Sequence, residues 1–153
     1  MGNKTFLRIA ETADARELAR LSAELGYAMA PTEMSRNLAA LLASPSHFVT
    51  VACDDDRLLG WVAAEYRLSL EGGEKAELTG LVVDASARRR GIGRMLVAAA
   101  EQWASQRGLG KIVVRSNVAR EESHPFYEGL GYTRTKTAHV YAKDLARGQE
   151  VTQ

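Results

Sequence analysis

The chain reads as a single α/β (α+β) domain, a mixed central sheet with helices on both faces. Its 153 residues, 46% apolar and 25% charged, suit one globular core. Strand-like and helix-like periodicities alternate along it, and residues 76 to 115 run strand, helix, strand, the pattern of a parallel crossover. No repeat, low-complexity tract or linker-like run of Pro, Gly and Ser divides the chain, so the domain is expected to span 1–145 and to leave a polar tail over 146–153.

Thr5 to Ile9 is a short β-prone run. Leu18, Leu21, Ser22 and Leu25 then share one side of a helix that Thr12 or Asp14 could cap and Gly26 ends. Met34, Leu38, Leu41 and Leu42 set a second helix over about Thr32 to Ala43, stopped before Pro45. His47 to Cys53 and Leu58 to Leu70 flank the turn-rich Asp54-Asp55-Asp56 and form a hairpin. Glu71-Gly72-Gly73-Glu74 turns the chain again into Ala76 to Val83. Ile92, Met95, Leu96, Ala99 and Trp103 recur at helical spacing until Gly108 and Gly110. Lys111 to Arg115 is the next strand, Glu121 to Leu130 a short helix stopped by Gly131, and Thr133 to Asp144 holds one or two closing strands.

Composition narrows the function. With 20 Lys and Arg against 19 Asp and Glu, the formal charge of +1 argues against a partner held by bulk positive charge, so no nucleic-acid binding is expected and any anion site must be local. The amino-terminal residues form no secretory signal, no myristoylation pattern (Phe6 stands where Ser or Thr is needed) and no anchor, so no membrane association and a cytoplasmic location are expected. The single cysteine, Cys53, cannot form an internal disulfide and reads as a small core residue. No spacing of His, Cys, Asp and Glu suggests a metal site, and no Gly-x-Ser-x-Gly suggests a serine nucleophile.

The most informative segment is Leu81-Val82-Val83-Asp84-Ala85-Ser86-Ala87-Arg88-Arg89-Arg90-Gly91-Ile92-Gly93-Arg94, which leads from a buried strand into the amino end of the long helix. Unpaired amides and the positive end of the helix dipole meet there. Glycines allow close backbone approach and arginines raise the potential, which together suit a pyrophosphate. Arg88 to Arg90 alone could be a solvated charge run; the glycines tip the balance. The third glycine of a dinucleotide fingerprint is missing, and there is no Gly-Lys-Ser/Thr of a P-loop.

Arg88-Arg89-Arg90-Gly91-Ile92-Gly93 matches the signature Gln or Arg, two residues, Gly, any residue, Gly or Ala. Arg115-Ser116-Asn117 followed by Phe126-Tyr127-Glu128-Gly129-Leu130-Gly131-Tyr132 matches a second block. In both, and in the order of elements from Thr5 to Leu145, the chain resembles the GNAT superfamily of acetyl-CoA-dependent N-acetyltransferases. The resemblance implies acetyl-CoA as cosubstrate. Its pantetheine arm would pair with the backbone of Leu81, Val82 and Val83, and its pyrophosphate would sit on the loop of Arg88, Arg89, Arg90, Gly91, Ile92, Gly93 and Arg94. For the arm to enter, this strand must part from the next parallel one. Gly80 is a candidate bulge that begins the split, or a packing glycine.

Acetyl transfer to an amine requires loss of a proton from the acceptor and protonation of the departing thiolate. Glu77, eleven residues before Arg88, holds the spacing at which the resemblance places a glutamate base; otherwise it is a charge at the exposed start of a strand. The alternative base position, five residues before the Asn, is Ile112 here. Tyr127 is the implied general acid, against a core aromatic beside Phe126 and Tyr132, and Asn117 an implied cofactor contact, against a turn or cap residue. The interval from Asn117 to Tyr127 is longer than in many members, and its insert holds Arg120, Glu121, Glu122 and His124, the last a base or, as a His before Pro at a helix start more often is, a surface or capping residue.

Acceptor choice should lie in the first two helices and their loop, Tyr27 to Thr32, with help from the turn at Glu71 to Glu74 and the loop around Lys136. Glu24, Glu33, Glu71, Glu74 and Glu77 lean toward a cationic small-molecule amine such as an aminoglycoside, a polyamine or an amino-acid amine, or are scattered surface charges. A protein lysine or amino terminus is the alternative acceptor. A non-catalytic acyl-CoA sensor and a nucleotide-binding regulatory domain are the readings from other classes. Relatives often pair through sheet edges or helices, so a homodimer is the assembly the resemblance implies.

Overall fold

The computed structural model describes residues 4–55, 57–115 and 123–146. They fall into two compact units, one ending at Arg115 and one beginning at Ser116. The first contains β1 (Phe6–Ile9), α1 (Ala15–Glu24), α2 (Pro31–Leu42), β2 (His47–Cys53), β3 (Leu58–Ser69), β4 (Gly73–Val83), α3 (Ile92–Gln106) and β5 (Ile112–Val114). The strands lie side by side in chain order, β1 to β4 antiparallel and β5 parallel to β4.

Alternation along β2 assigns the layers. Val49, Val51 and Cys53 join Leu18, Leu21 and Leu38 of α1 and α2 in one core. Phe48 points the other way and stacks on Trp103 of α3, ring centres 5.4 Å apart. Helices therefore cover both faces of the sheet. α3 approaches closely because Gly60 has no side chain: a Cβ there would lie 2.7 Å from the Val82 carbonyl oxygen and 3.1 Å from Leu96 Cδ1. α3 ends as its sequence dictates, with Gly108 at φ +79 and the Leu109 amide donating to the Ala104 carbonyl.

Several boundaries differ from the sequence reading. Thr12–Asp14 form a 3-10 turn ahead of α1, and Asp14 precedes that helix without capping it: its carboxylate accepts from the Glu11 amide at 2.8 Å, closing the capping box of the turn, and from Arg8 at 2.9 Å. Burial alone would push the Asp14 carboxyl up, but those donors outweigh it and hold it below the usual range. β4 begins at Gly73, so the turn expected over 71–74 is shorter. The expected helix over Glu121 to Leu130 is α4 (Ser123–Gly129) in the second unit, residues 121 and 122 lying outside the described residues. The expected closing strands over Thr133 to Asp144 are absent: the described chain there forms no strand or helix and is exposed, with Val140, Tyr141 and Leu145 all at least 80% accessible. β-prone side chains express how a residue sits in a sheet, and no described strand pairs with this one.

The junction between β4 and α3 is fixed by one buried carboxylate. Asp84 is 3% exposed and accepts from the Ser86 amide at 2.8 Å, the Ser86 hydroxyl at 2.9 Å and Arg20 Nη1 at 2.9 Å, with Arg57 at 3.5 Å. Arg20 in turn bonds Glu17, Glu24 and the Leu58 carbonyl, and Glu24 receives the Ala85 amide at 3.2 Å. Burial raises the Asp84 carboxyl, but the Ser86 donors and the two guanidiniums prevail and bring it to about 2. A depressed carboxyl stabilises the fold above its ordinary value of 3.8, and that contribution is lost as pH falls through about 2. Asp84→Asn should therefore cost about 2 kcal/mol of unfolding free energy at neutral pH. In urea titrations its deficit against the parent should close as pH is lowered from neutrality toward 2; a deficit independent of pH would assign the loss to packing.

Candidate active site

The site is prepared by a mismatch between β3 and β4. Ala63 pairs with Gly80 and Ala64 with Leu78, so Thr79 has no partner and bulges into solvent. On the other side, β4 pairs with β5 only through Ala76↔Ile112, Glu77↔Val113 and Leu78↔Val114. The parallel ladder ends where the bulge begins. Beyond it, Leu81, Val82 and Val83 stay bonded to β3, and among the described residues no strand takes their other edge. Such an edge offers a row of amides and carbonyls to an extended ligand.

The bulge also changes which residues share a face. Odd-numbered Glu77 stands beside Glu65, on the same side as Ala63 and Trp61, and after the extra residue even-numbered Gly80 and Val82 occupy that side. Gly80 serves both of the roles open to it: it adjoins the bulge, and it lies under Trp61, whose Cη2 and Cζ3 would be 2.6 Å from any added Cβ. Trp61, Ala63 and Val82 then pack into the core formed with α1 and α2.

Toward the other end of that face the lining turns polar. Glu77 is 6% exposed, against the expectation of an exposed strand start, and both its oxygens are engaged. Arg67 Nη1 on β3 donates to Oε1 at 3.0 Å, and Arg115 Nε, just past β5, to Oε2 at 3.3 Å. Arg67 also reaches Glu65 at 3.4 Å, Glu65 lies 3.4 Å from His47 Nε2, and His47 Nδ1 is 2.8 Å from the Ser44 hydroxyl. The two guanidiniums offset the cost of burying a charge. A carboxylate has about four acceptor positions, so two remain for a water or an ammonium group. Sequence reading found Glu77 but missed Arg67, Glu65, His47 and Arg115, because their meeting depends on cross-strand register, which no local spacing encodes.

Beyond Asp84, the chain passes through Ala85–Ala87 into a turn in which Arg88 is extended (φ −69, ψ 157) and Arg89 has φ +68. That region favours glycine, and holding an arginine there costs of order 1 kcal/mol. Gly91, at φ +76, is the N-cap of α3 and supplies no side-chain cap, so the first-turn amides of Ile92, Gly93 and Arg94 remain without one. Arg88, Arg89, Arg90 and Arg94 are exposed around this helix end, and Arg90 donates to Thr5 at 3.2 Å. Bare amides, a positive helix end and guanidiniums suit a pyrophosphate, and the open β4 edge suits the amide-rich arm attached to it.

In the second unit Tyr127 lies on α4, half-buried, with ring centres 5.0 Å from Phe126 and 5.9 Å from Tyr132 in edge-on contacts. Its carbonyl accepts from the Leu130 and Tyr132 amides as Gly131 turns the chain at φ +96. Asn117 lies outside the described residues. Cys53 is buried, and burial pushes its thiol up, away from thiolate chemistry. Among the described residues no group of His, Cys, Asp and Glu could hold a metal ion, and no helix is long and apolar enough to cross a membrane.

A mixed sheet with a bulged β4 open along one edge and a bare helix end beside it suits an extended ligand that carries an anionic group. The profile of the Acetyltransferase (GNAT) family matches residues 13–132, and the chain belongs to that family. It is an N-acetyltransferase, and acetyl-CoA is its acetyl donor. An aminoglycoside N(6')-acetyltransferase type 1 of Klebsiella aerogenes is 29% identical over 117 residues, covering 74% of this chain and 77% of that one. The uncharacterized N-acetyltransferase YhdJ of Bacillus subtilis is 29% identical over 99 residues, covering 64% and 70%. Among solved structures, the aminoglycoside N-acetyltransferase AAC(6')-Iy in complex with CoA superposes with a TM-score of 0.84 at 19% identity, over 95% of this chain and 98% of that one.

The contact of Gly80 with Trp61 is directly testable. Gly80→Ala should destabilise the protein by about 1–3 kcal/mol through overpacking, read as a lower Tm. Adding Trp61→Phe, which removes the outer ring atoms, should return part of the loss. Additive effects would show that Gly80 is needed for its backbone alone.

Proposed function

We propose that the protein acetylates a primary amine of a small molecule, of the aminoglycoside, polyamine or amino-acid type, with Glu77 as general base and Tyr127 as general acid. The observation that carries the reading is the buried carboxylate of Glu77, one residue before the point where β4 and β5 part. The small-molecule acceptor is supported by the aminoglycoside acetyltransferases among the relatives. Tyr127 rests on its place in the Phe126 to Tyr132 segment.

Leu81, Val82 and Val83 would bond the pantetheine arm, and the amides and guanidiniums from Arg88 to Arg94, with Asn117, would hold the remainder of the cosubstrate. Acetyl-CoA supplies an acetyl group activated as a thioester. An alkylammonium with pKa near 10.4 is deprotonated in only roughly one molecule in a few thousand at pH 7, so a proton acceptor raises the rate. Glu77 takes that proton, directly or through a water on one of its remaining lone pairs. As the amine nitrogen bonds to the acetyl carbon and the carbon–sulfur bond breaks, Tyr127 gives its phenolic proton to the sulfur. The nitrogen sheds its second proton as the amide forms; that proton and the one held by Glu77 pass to solvent, and solvent restores the phenol, so one proton is released per turnover.

Thermal unfolding with acetyl-CoA, CoA, NAD and ATP tests the cosubstrate residues without an acceptor: ligand at 100 times its Kd should add roughly 2.7 kcal/mol. Acetyl-CoA and CoA should stabilise the protein, NAD and ATP should not, and Arg89→Ala with Arg90→Ala should weaken the effect. Turnover is read as thiol release across kanamycin, spermidine, lysine and a lysine-containing peptide. With whichever amine is accepted, Tyr127→Phe and Glu77→Gln should each lower kcat by about a hundredfold while leaving acetyl-CoA binding intact. Exclusive use of the peptide would move the acceptor to protein amines, and unchanged kcat in either variant would remove that residue from its role.

A further inference from the structure

We infer that Arg67 and Arg115 are positioning residues that hold the Glu77 carboxylate in its working orientation; the inference rests on the reading of Glu77 as general base. The two guanidiniums reach Glu77 from either side of β4, Arg67 on β3 and Arg115 just past the end of β5, and each takes a different oxygen, at 3.0 Å and 3.3 Å. Rotation of the carboxylate about its terminal bond would break one contact or the other. Glu77, Glu65 and Arg67 share a face by register, and Arg115, two residues past Val113, returns to that same face.

The arrangement differs from an ordinary surface ion pair. The Glu77 side chain is 8% exposed, whereas the Arg67 and Arg115 side chains are 43% and 60% exposed. The buried partner is thus the one that is held, and the exposed partners do the holding. Arg67 is itself braced by Glu65 at 3.4 Å. Arg115 joins the last paired stretch of β5 to the residue beside it on β4, so the base is fixed at the base of the fork. A general base that must meet one proton gains from having its swing removed, since misplacement by about 1 Å can cost up to a hundredfold in rate.

Action through Glu77 has a signature that a structural role lacks. Arg67→Met and Arg115→Met are compared with Glu77→Gln and with the double variants that combine each arginine change with Glu77→Gln. Turnover is thiol release from acetyl-CoA, with kanamycin as acceptor and with water alone, so a slow basal reaction is measured whatever the preferred amine. Each arginine change should lower kcat by about tenfold and leave the KM for acetyl-CoA within about twofold. In the Glu77→Gln background the same changes should cost nothing further, because the group they position is gone. Arg67→Lys, which keeps the charge without the fork, should recover part of the loss and guards against misfolding of the Met variant. Crystal structures of the variants should show the Glu77 carboxylate displaced or split between conformers.

Undiminished losses in the Glu77→Gln background would overturn the inference, as would an unmoved carboxylate or a rise in acceptor KM at constant kcat, which would make the arginines acceptor contacts. Full activity in Glu77→Gln would instead overturn the base reading itself. Slow Glu77→Gln with fully active arginine variants would leave that reading standing and remove only the positioning.

Discussion

One more residue on β4 than on β3 is the constraint from which the site follows. With Thr79 unmatched, the strand keeps its bonds to β3, and parallel pairing with β5 stops after Leu78 and Val114. The same residue reverses the alternation of side chains, so that Glu77 and the pair Gly80 and Val82 face the same way although their numbers differ in parity. A regular strand would send either Glu77 or Gly80 and Val82 to the face covered by α3. One insertion therefore both exposes a backbone edge and places a carboxylate beside that edge. Gly80 makes the arrangement compatible with the core, because the Trp61 ring occupies the space where a Cβ would be.

The face that carries Glu77 is divided along its length. Under α1 and α2 it is apolar, with Val49, Val51, Cys53, Trp61 and Val82. Beyond them it becomes His47, Glu65, Arg67, Glu77 and Arg115, joined by contacts of 3.0–3.4 Å. The apolar part contributes stability by removing area from water, at about 25 cal/mol per Å2. The polar part contributes little net stability, since desolvation offsets most of the attraction between its charges. Its presence in a sheet face that could have been apolar throughout accords with the role proposed for Glu77.

Much of this was legible in the chain. Periodicity and turn residues locate β1 to β4 and α1 to α3 to within a few residues, because each is long enough for its hydrophobic pattern to dominate. Arg88 to Gly93 could be read because a helix start, its glycines and its arginines are contiguous. Gly80 could be flagged as a bulge, but not its contact with Trp61, nineteen positions away. The burial of Glu77 was hidden by the neighbouring Gly72 and Gly73, which suggest a surface turn, whereas β4 extends back to Gly73 and carries Glu77 well inside the sheet. The expected strands after Thr133 failed for another reason: alternation of Thr, His, Val and Tyr describes a segment able to join a sheet without specifying a partner.

The buried Asp84 holds the two halves of the proposed cosubstrate site, the β4 edge and the arginine loop, in one geometry. It sits at the end of the open β4 edge and caps the turn that leads to the arginine loop, while Arg20 ties it to α1 and to the Leu58 carbonyl on β3. A loop held only by its own turn would open locally at little free-energy cost. Here the guanidinium of Arg20 would lose its bonds to the Asp84 carboxylate and to the Leu58 carbonyl in the same movement. The left-handed Arg89 is tolerated on that account. Strain of order 1 kcal/mol persists only where the surroundings leave the backbone no alternative, and the Asp84 junction at one end and the first turn of α3 at the other provide that confinement. The arginine loop is thus a strained segment between two fixed ends, which keeps its amides and guanidiniums in place before any anion arrives.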